Sequence, residues 1–160
     1  MDFDMNQRIY MFPEYHKETW GEGPWLTEPD KIVWVDDETD LDCMIVRNRS
    51  GALCGYVGVP EGHPWHGSGY DDIEPHVHGG LTFAGFCEPG VKEEAHAICH
   101  TVLPGRPEKV WWLGFDCVHA LDLAPAMSRY QEFAHDDIYR NVEYVEAEVA
   151  RLAQQVRATI

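Results

Sequence analysis

At 160 residues the chain is long enough for one domain with its own apolar core. Its 44% hydrophobic and 25% charged residues are those of a globular protein, not a disordered one. The formal net charge of −16 argues against a general binder of nucleic acid or of anionic membranes, because such a surface repels phosphate. Arg47-Asn48-Arg49 is the nearest basic patch and is too short to reverse that. No apolar run approaches the ~18–20 residues of a membrane helix. The opening Met1-Asp2-Phe3-Asp4-Met5-Asn6 lacks the basic and apolar regions of an export signal, so the expected location is cytoplasmic. The five cysteines are scattered and odd in number, with no CxxC pair. They are expected to be reduced and mostly buried.

Residues 1–30 mix aromatics with Pro and Gly and are expected to form an irregular arm over the body. Lys31–Asp36, Cys43–Arg47 and Ala52–Val59 are rich in β-branched and apolar residues and predict three strands. The acidic connection before Cys43 and the Asn48–Gly51 turn are short, which favours an antiparallel meander. Pro60–Asp72 carries two Pro and several Gly and is expected to be a loop. A strand is expected over 76–86, ending at Glu88-Pro89-Gly90. Residues 91–103 read either as one or two helical turns or as a lead into another strand. Val110–Val118 is the most apolar run and predicts a central strand. In strand phase Trp111, Leu113, Phe115 and Cys117 share one face, and Val110, Trp112, Gly114 and Asp116 the other.

Ile138, Val142, Val145, Val149, Leu152 and Val156 recur every three or four residues and predict a helix over 136–158. Asp136 and Asp137 suit its start, Arg151 and Arg157 its end. Its apolar seam either packs on a sheet or forms a homodimer zipper. The fold class is therefore α+β, a single domain over 1–160. An antiparallel or mixed sheet of about six strands spans 31–125, with the C-terminal helix packed on one face.

Two clusters carry the candidate chemistry. His76 and His78, at alternate positions before Gly79-Gly80, are spaced to share one Zn²⁺ or one anionic group if the chain is extended. Asp116, His119 and Asp122 are three apart, so a helical turn would bring them to one face. Asp116 and His119 are the candidates to complete the metal site. Glu74, with Asp72, is the candidate general base. His63, Trp65, His66 and Tyr70, in the 60–72 loop, are candidates to cover or stack on a small ligand. The plain alternative is histidines bonding backbone at a sheet end and a loop that is only surface.

The segments Cys54–Gly67, His76–Thr82 and Trp111–His119 also resemble a family of small proteins from tailed phages and bacterial genomes, over roughly residues 20–125. The resemblance implies a phage-type accessory protein in the bacterial cytoplasm and implies no mechanism. Two functions are expected on these grounds. One is a metal-assisted hydrolase of a small substrate. The other is a non-enzymatic binder of a host protein or of a small ligand such as a nucleotide.

Overall fold

The computed structural model describes residues 7–128 and 136–159. The opening residues 1–6, on which the expectation of no export signal rests, lie outside them. Six strands form one antiparallel sheet: β1 (Arg8–Tyr10), β2 (Lys31–Val35), β3 (Asp42–Arg47), β4 (Leu53–Val59), β5 (Phe83–Gly85) and β6 (Trp111–Asp116). Their spatial order is β1-β2-β3-β4-β6-β5. Two helices follow, α1 (Pro125–Ser128) and α2 (Val142–Ala158).

The β2–β3–β4 meander forms where the β-branched runs predict it, with Ile32 opposite Ile45 and Ile45 opposite Gly55. Strand alternation divides the apolar residues between two faces. Ile32, Ile45, Val57, Leu113 and Phe115 face α2, whose Val145, Val149, Leu152 and Val156 are fully buried against them. The seam of the helix is thus used within the chain, on the sheet. Gly55 permits the close approach: a Cβ there would stand 2.6 Å from both Phe115 and Val149. The helix begins six residues later than predicted. Asn141, not Asp136 or Asp137, is its cap, accepting a 2.9 Å bond from the Tyr144 N–H. Ile138 instead forms a parallel bridge with Asp122.

The opposite face carries Val33, Met44, Val46, Cys54, Tyr56 and Trp112. Phe12 and the irregular segment 86–103 cover it. Two buried polar junctions fix this cover. At the first, Asp30 accepts from Lys17 Nζ (2.8 Å), Arg47 Nε (2.7 Å) and the Phe12 N–H (2.7 Å), which ties the N-terminal arm to β3. At the second, Lys31 Nζ donates to the carbonyls of Glu93, Ala95, Ala97 and Cys99 at 2.5–3.0 Å. The stretch is a run of turns and bends, curled so that these carbonyls converge, and a single ammonium holds it without a strand partner. Burial draws that ammonium down to about 8, against the pull of Glu93 and Glu94. Glu93 accepts in turn from Arg8, Tyr10 and the Thr101 N–H. Burial alone would raise its carboxyl, but these donors hold it down to about 2.

Three expectations are corrected. Cys87 and Cys99 form a disulfide, closing a loop across the cover, while Cys43, Cys54 and Cys117 are buried and free. The reduced-thiol reading holds for those three alone. Of the strand expected over 76–86, only Phe83–Gly85 pairs with a neighbour. Gly79 and Gly80, at φ +68° and +79°, turn the chain ahead of it, and the Gly80 N–H closes the turn on Val77 O. The arm is also less irregular than its composition suggests: β1 pairs with β2, and three 3₁₀ turns follow it.

Candidate functional site

The two polar clusters meet where β6 leaves the sheet, and Asp122 is their hub. Leu121, at φ +73°, turns the chain after His119 so that the Asp122 carboxylate faces back. Its Oδ2 accepts from His78 Nε2 (2.8 Å) and from the His119 N–H (3.0 Å), and its Oδ1 from Arg140 Nε (2.9 Å). Asp122 is 7% exposed. Burial alone would raise its carboxyl, and the His78 and Arg140 hydrogen bonds hold it below the usual carboxylate range. The other ring nitrogen of His78 lies 2.7 Å from the Tyr144 hydroxyl, and Arg140 sits over the Tyr144 ring. The His78 and His119 rings are 5.8 Å apart. His119 Nε2 is 3.2 Å from Asp116 Oδ1 but not aligned for a hydrogen bond, and it is wedged against Gly79.

Both nitrogens of His78 are engaged, so its imidazole is held in place. Segment 76–78 leads into the Gly79-Gly80 turn without a strand partner, and its main chain is read by helix side chains. The His76 N–H donates to Gln155 and the His78 N–H to Glu148, while Arg151 and Gln155 donate to His76 O. The cluster therefore clamps three parts of the chain: the 74–80 loop, the 116–122 turn and α2. Among the described residues no group of three or more His, Cys, Asp or Glu is placed to hold a metal ion.

The other sequence candidates stand apart from this hub. His76 is exposed, and its side chain makes no hydrogen bond or ion pair among the described residues. Glu74 is exposed, and Asp72 accepts from the Gly69 N–H within its own loop. His63 accepts from the Trp65 N–H at Nδ1, so its Nε2–H is the donor to Val156 O (2.6 Å), at the far end of α2. Trp65 packs against the helix-side core, His66 Nε2 lies 3.3 Å from Lys109 O, and Trp111 Nε1 donates to Ser68 O. Tyr70 is exposed. The helix rises about 1.5 Å per residue. Val156 is twelve residues beyond Tyr144, which separates the 60–69 loop from His78 by about 18 Å along that axis. The loop is pinned at the opposite end of α2 and does not cover His78 or His119.

Sequence reasoning missed a second feature, on the face away from α2. A cleft of about 450 Å³ opens between the sheet and the 86–99 cover. Tyr15, Tyr56, Phe83 and Phe86 give it aromatic walls, and Asn48, Arg49 and His96 stand around it. Phe83 packs edge-on against Tyr56 at 5.7 Å. Tyr15 is fixed by its hydroxyl on Arg47 O (2.8 Å). Arg49 is exposed and makes no ion pair among the described residues. The Cys54 thiol borders the cleft, but burial pushes it up to about 12, so it is inert as a nucleophile. No periodic signal marks these residues, which come from six separate segments. The one legible sign was Arg47-Asn48-Arg49, a basic spot in an acidic chain.

No family model, no curated protein and no solved structure matches this chain. No helix among the described residues is long and apolar enough to cross a membrane.

Proposed function

We propose that this protein binds a small, planar, anionic ligand, of which a nucleotide is the model, in the aromatic cleft beside Arg49. The observation that carries the reading is an arginine without an ion-pair partner, among the described residues, at the mouth of an aromatic cleft in a chain of net charge −16. On so acidic a surface, an unpaired guanidinium next to stacking surfaces selects ligands that carry both a ring and a negative group. The cleft volume is in the range of ordinary small-molecule sites. The one free thiol bordering the cleft, Cys54, is buried and inert as a nucleophile, which favours retention of the ligand over its conversion. With the phage-family resemblance, this makes the protein an accessory factor that sequesters its ligand.

The test is calorimetric titration with adenosine monophosphate and with adenosine. The reading expects binding of the monophosphate, weakened by salt, and a loss of roughly tenfold or more in Arg49→Ala, the value of one charge-assisted hydrogen bond. Equal binding of the uncharged nucleoside, or none by either together with no thermal shift from other planar anions, would overturn it.

The second reading, a metal-assisted hydrolase at the β6 end, draws support from one observation: His78, His119, Asp116 and Asp122 do converge there. Stoichiometric zinc in untagged protein, lost with His119→Ala, is what it expects. Metal-free protein with unchanged stability in chelator would remove it.

A further inference from the structure

A second cavity, of about 540 Å³, lies beside the cleft on the same face, and Phe86 lines both. The Cys87–Cys99 disulfide stands between them: Cys99 lines the cleft and Cys87 the second cavity. One wall of the cleft is a single short segment, from which Phe86, Glu88 and Val91 all line it. That segment leaves β5 at Gly85 and ends at Glu93, which Arg8, Tyr10 and the Thr101 N–H hold. Between these points the Val91 N–H bonds Glu88 O, within the segment. Among the described residues no main-chain hydrogen bond ties 86–91 to another part of the chain. Phe86 is half exposed and rests by ring contact on His66 and Trp111. Cys99, by contrast, belongs to the stretch whose carbonyls Lys31 holds. The disulfide therefore ties a loosely held wall to a fixed one.

Its two sulfurs differ in access. Cys87 is half-buried and Cys99 is 1% exposed, so a thiolate arriving from solvent meets Cys87 Sγ. We propose that this disulfide is a thiol–disulfide exchange site that gates the anion cleft, with a dithiol as the reductant. One thiolate of the dithiol attacks Cys87 Sγ, the S–S bond breaks, and Cys99 Sγ leaves with the electron pair and takes a proton. The second thiolate then attacks the dithiol's own sulfur in the mixed disulfide, and Cys87 Sγ leaves in the same way. Two electrons and two protons pass to the pair, and the dithiol departs as a disulfide. The 86–92 wall loses its tie while Lys31 keeps 93–99 in place, so the cleft opens along Phe86 and its ligand is released. The gate rests on the cleft being the ligand site proposed above, but the movement of its wall is measurable without ligand.

Dithiothreitol is the probe of the bond and adenosine monophosphate the probe of the cleft, both on the full chain. Dithiothreitol raises the free thiols of the oxidised native chain from three to five. Calorimetric affinity for the monophosphate then falls roughly fivefold or more, because the competent wall is less populated. Removing the dithiol and adding glutathione disulfide restores it. The Cys87→Ser/Cys99→Ser variant binds as the reduced chain does, with or without dithiothreitol. Hydrogen exchange quickens across 86–92 on reduction, with 93–99 at its oxidised rate, whether or not the monophosphate is present. No binding by the oxidised chain would overturn the ligand reading alone, and the exchange result would then decide the gate. Three thiols persisting in dithiothreitol, a measurable affinity equal in the two forms, or unchanged exchange across 86–92 overturns the gate.

Discussion

The two faces of the sheet are built on different physics. The face under α2 is closed by apolar side chains at helical and strand spacing, Val145, Val149, Leu152 and Val156 among them. The other face is closed by an irregular segment that has little apolar periodicity. It is held by the Lys31 ammonium, the Glu93 carboxylate and one disulfide. Apolar packing leaves no room, because interiors close to crystal density. Point anchors fix a loop at a few places and leave space between them, and both cavities lie on that face. Tight packing is concentrated on one side and open space on the other.

Substitutions that separate the faces differ in size and in reach. Leu152→Ala should cost about 4 kcal/mol of global stability, a buried leucine lost from tight packing, and lower the urea midpoint for every probe together. Acid acts on the other face. Glu93 is held at about 2 when folded, below its ordinary 4.5, so its contribution is present above pH 4.5 and lost as pH falls towards 2. That shift is worth about 3 kcal/mol at 1.36 kcal/mol per pH unit. Glu93→Gln should flatten the stability profile across that window, read by urea melts at stepped pH. An unchanged profile would mean that the Arg8–Tyr10–Glu93 junction contributes nothing. Replacing Cys87 and Cys99 together by Ser should cost about 2–3 kcal/mol, as expected for a short closed loop. The excess hydrogen exchange should be confined to 86–103. Counting free thiols on freshly purified protein gives three where the bond forms and five where a reducing cytoplasm prevents it. Arg49→Ala, on the surface, should change stability by less than about 0.5 kcal/mol while abolishing the anion preference.

The same contrast explains what the chain disclosed before its structure. The meander, the central β6, the face alternation through Trp111–Asp116 and the helix seam all repeat with a period of two or near four, and periodic burial is readable in one dimension. The spacing of Asp116, His119 and Asp122 also marked a turn that gathers polar groups, although the hub proved to be Asp122, whose partner Arg140, like Tyr144 on the other side of His78, lies on a distant segment. The cover was illegible for a physical reason. Lys31 binds carbonyl oxygens, which every residue carries, so nothing in Glu93–Cys99 advertises the contact. Lys31 itself sits in a strand pattern as an ordinary edge residue would. The same holds for His63, whose partner is a main-chain oxygen of α2. Its loop was read as a lid because its composition suits one, and only the Val156 contact shows it to be a fixed corner.

Residue-resolved hydrogen exchange, with and without adenosine monophosphate, tests the division of labour most directly. The account predicts that the nucleotide slows exchange across 86–99 and around Arg49, leaving α2 and segment 74–80 at their unliganded rates. Protection centred on His78, His119 and Asp122, with the cover unaffected, would contradict it and move the function to the other end of β6.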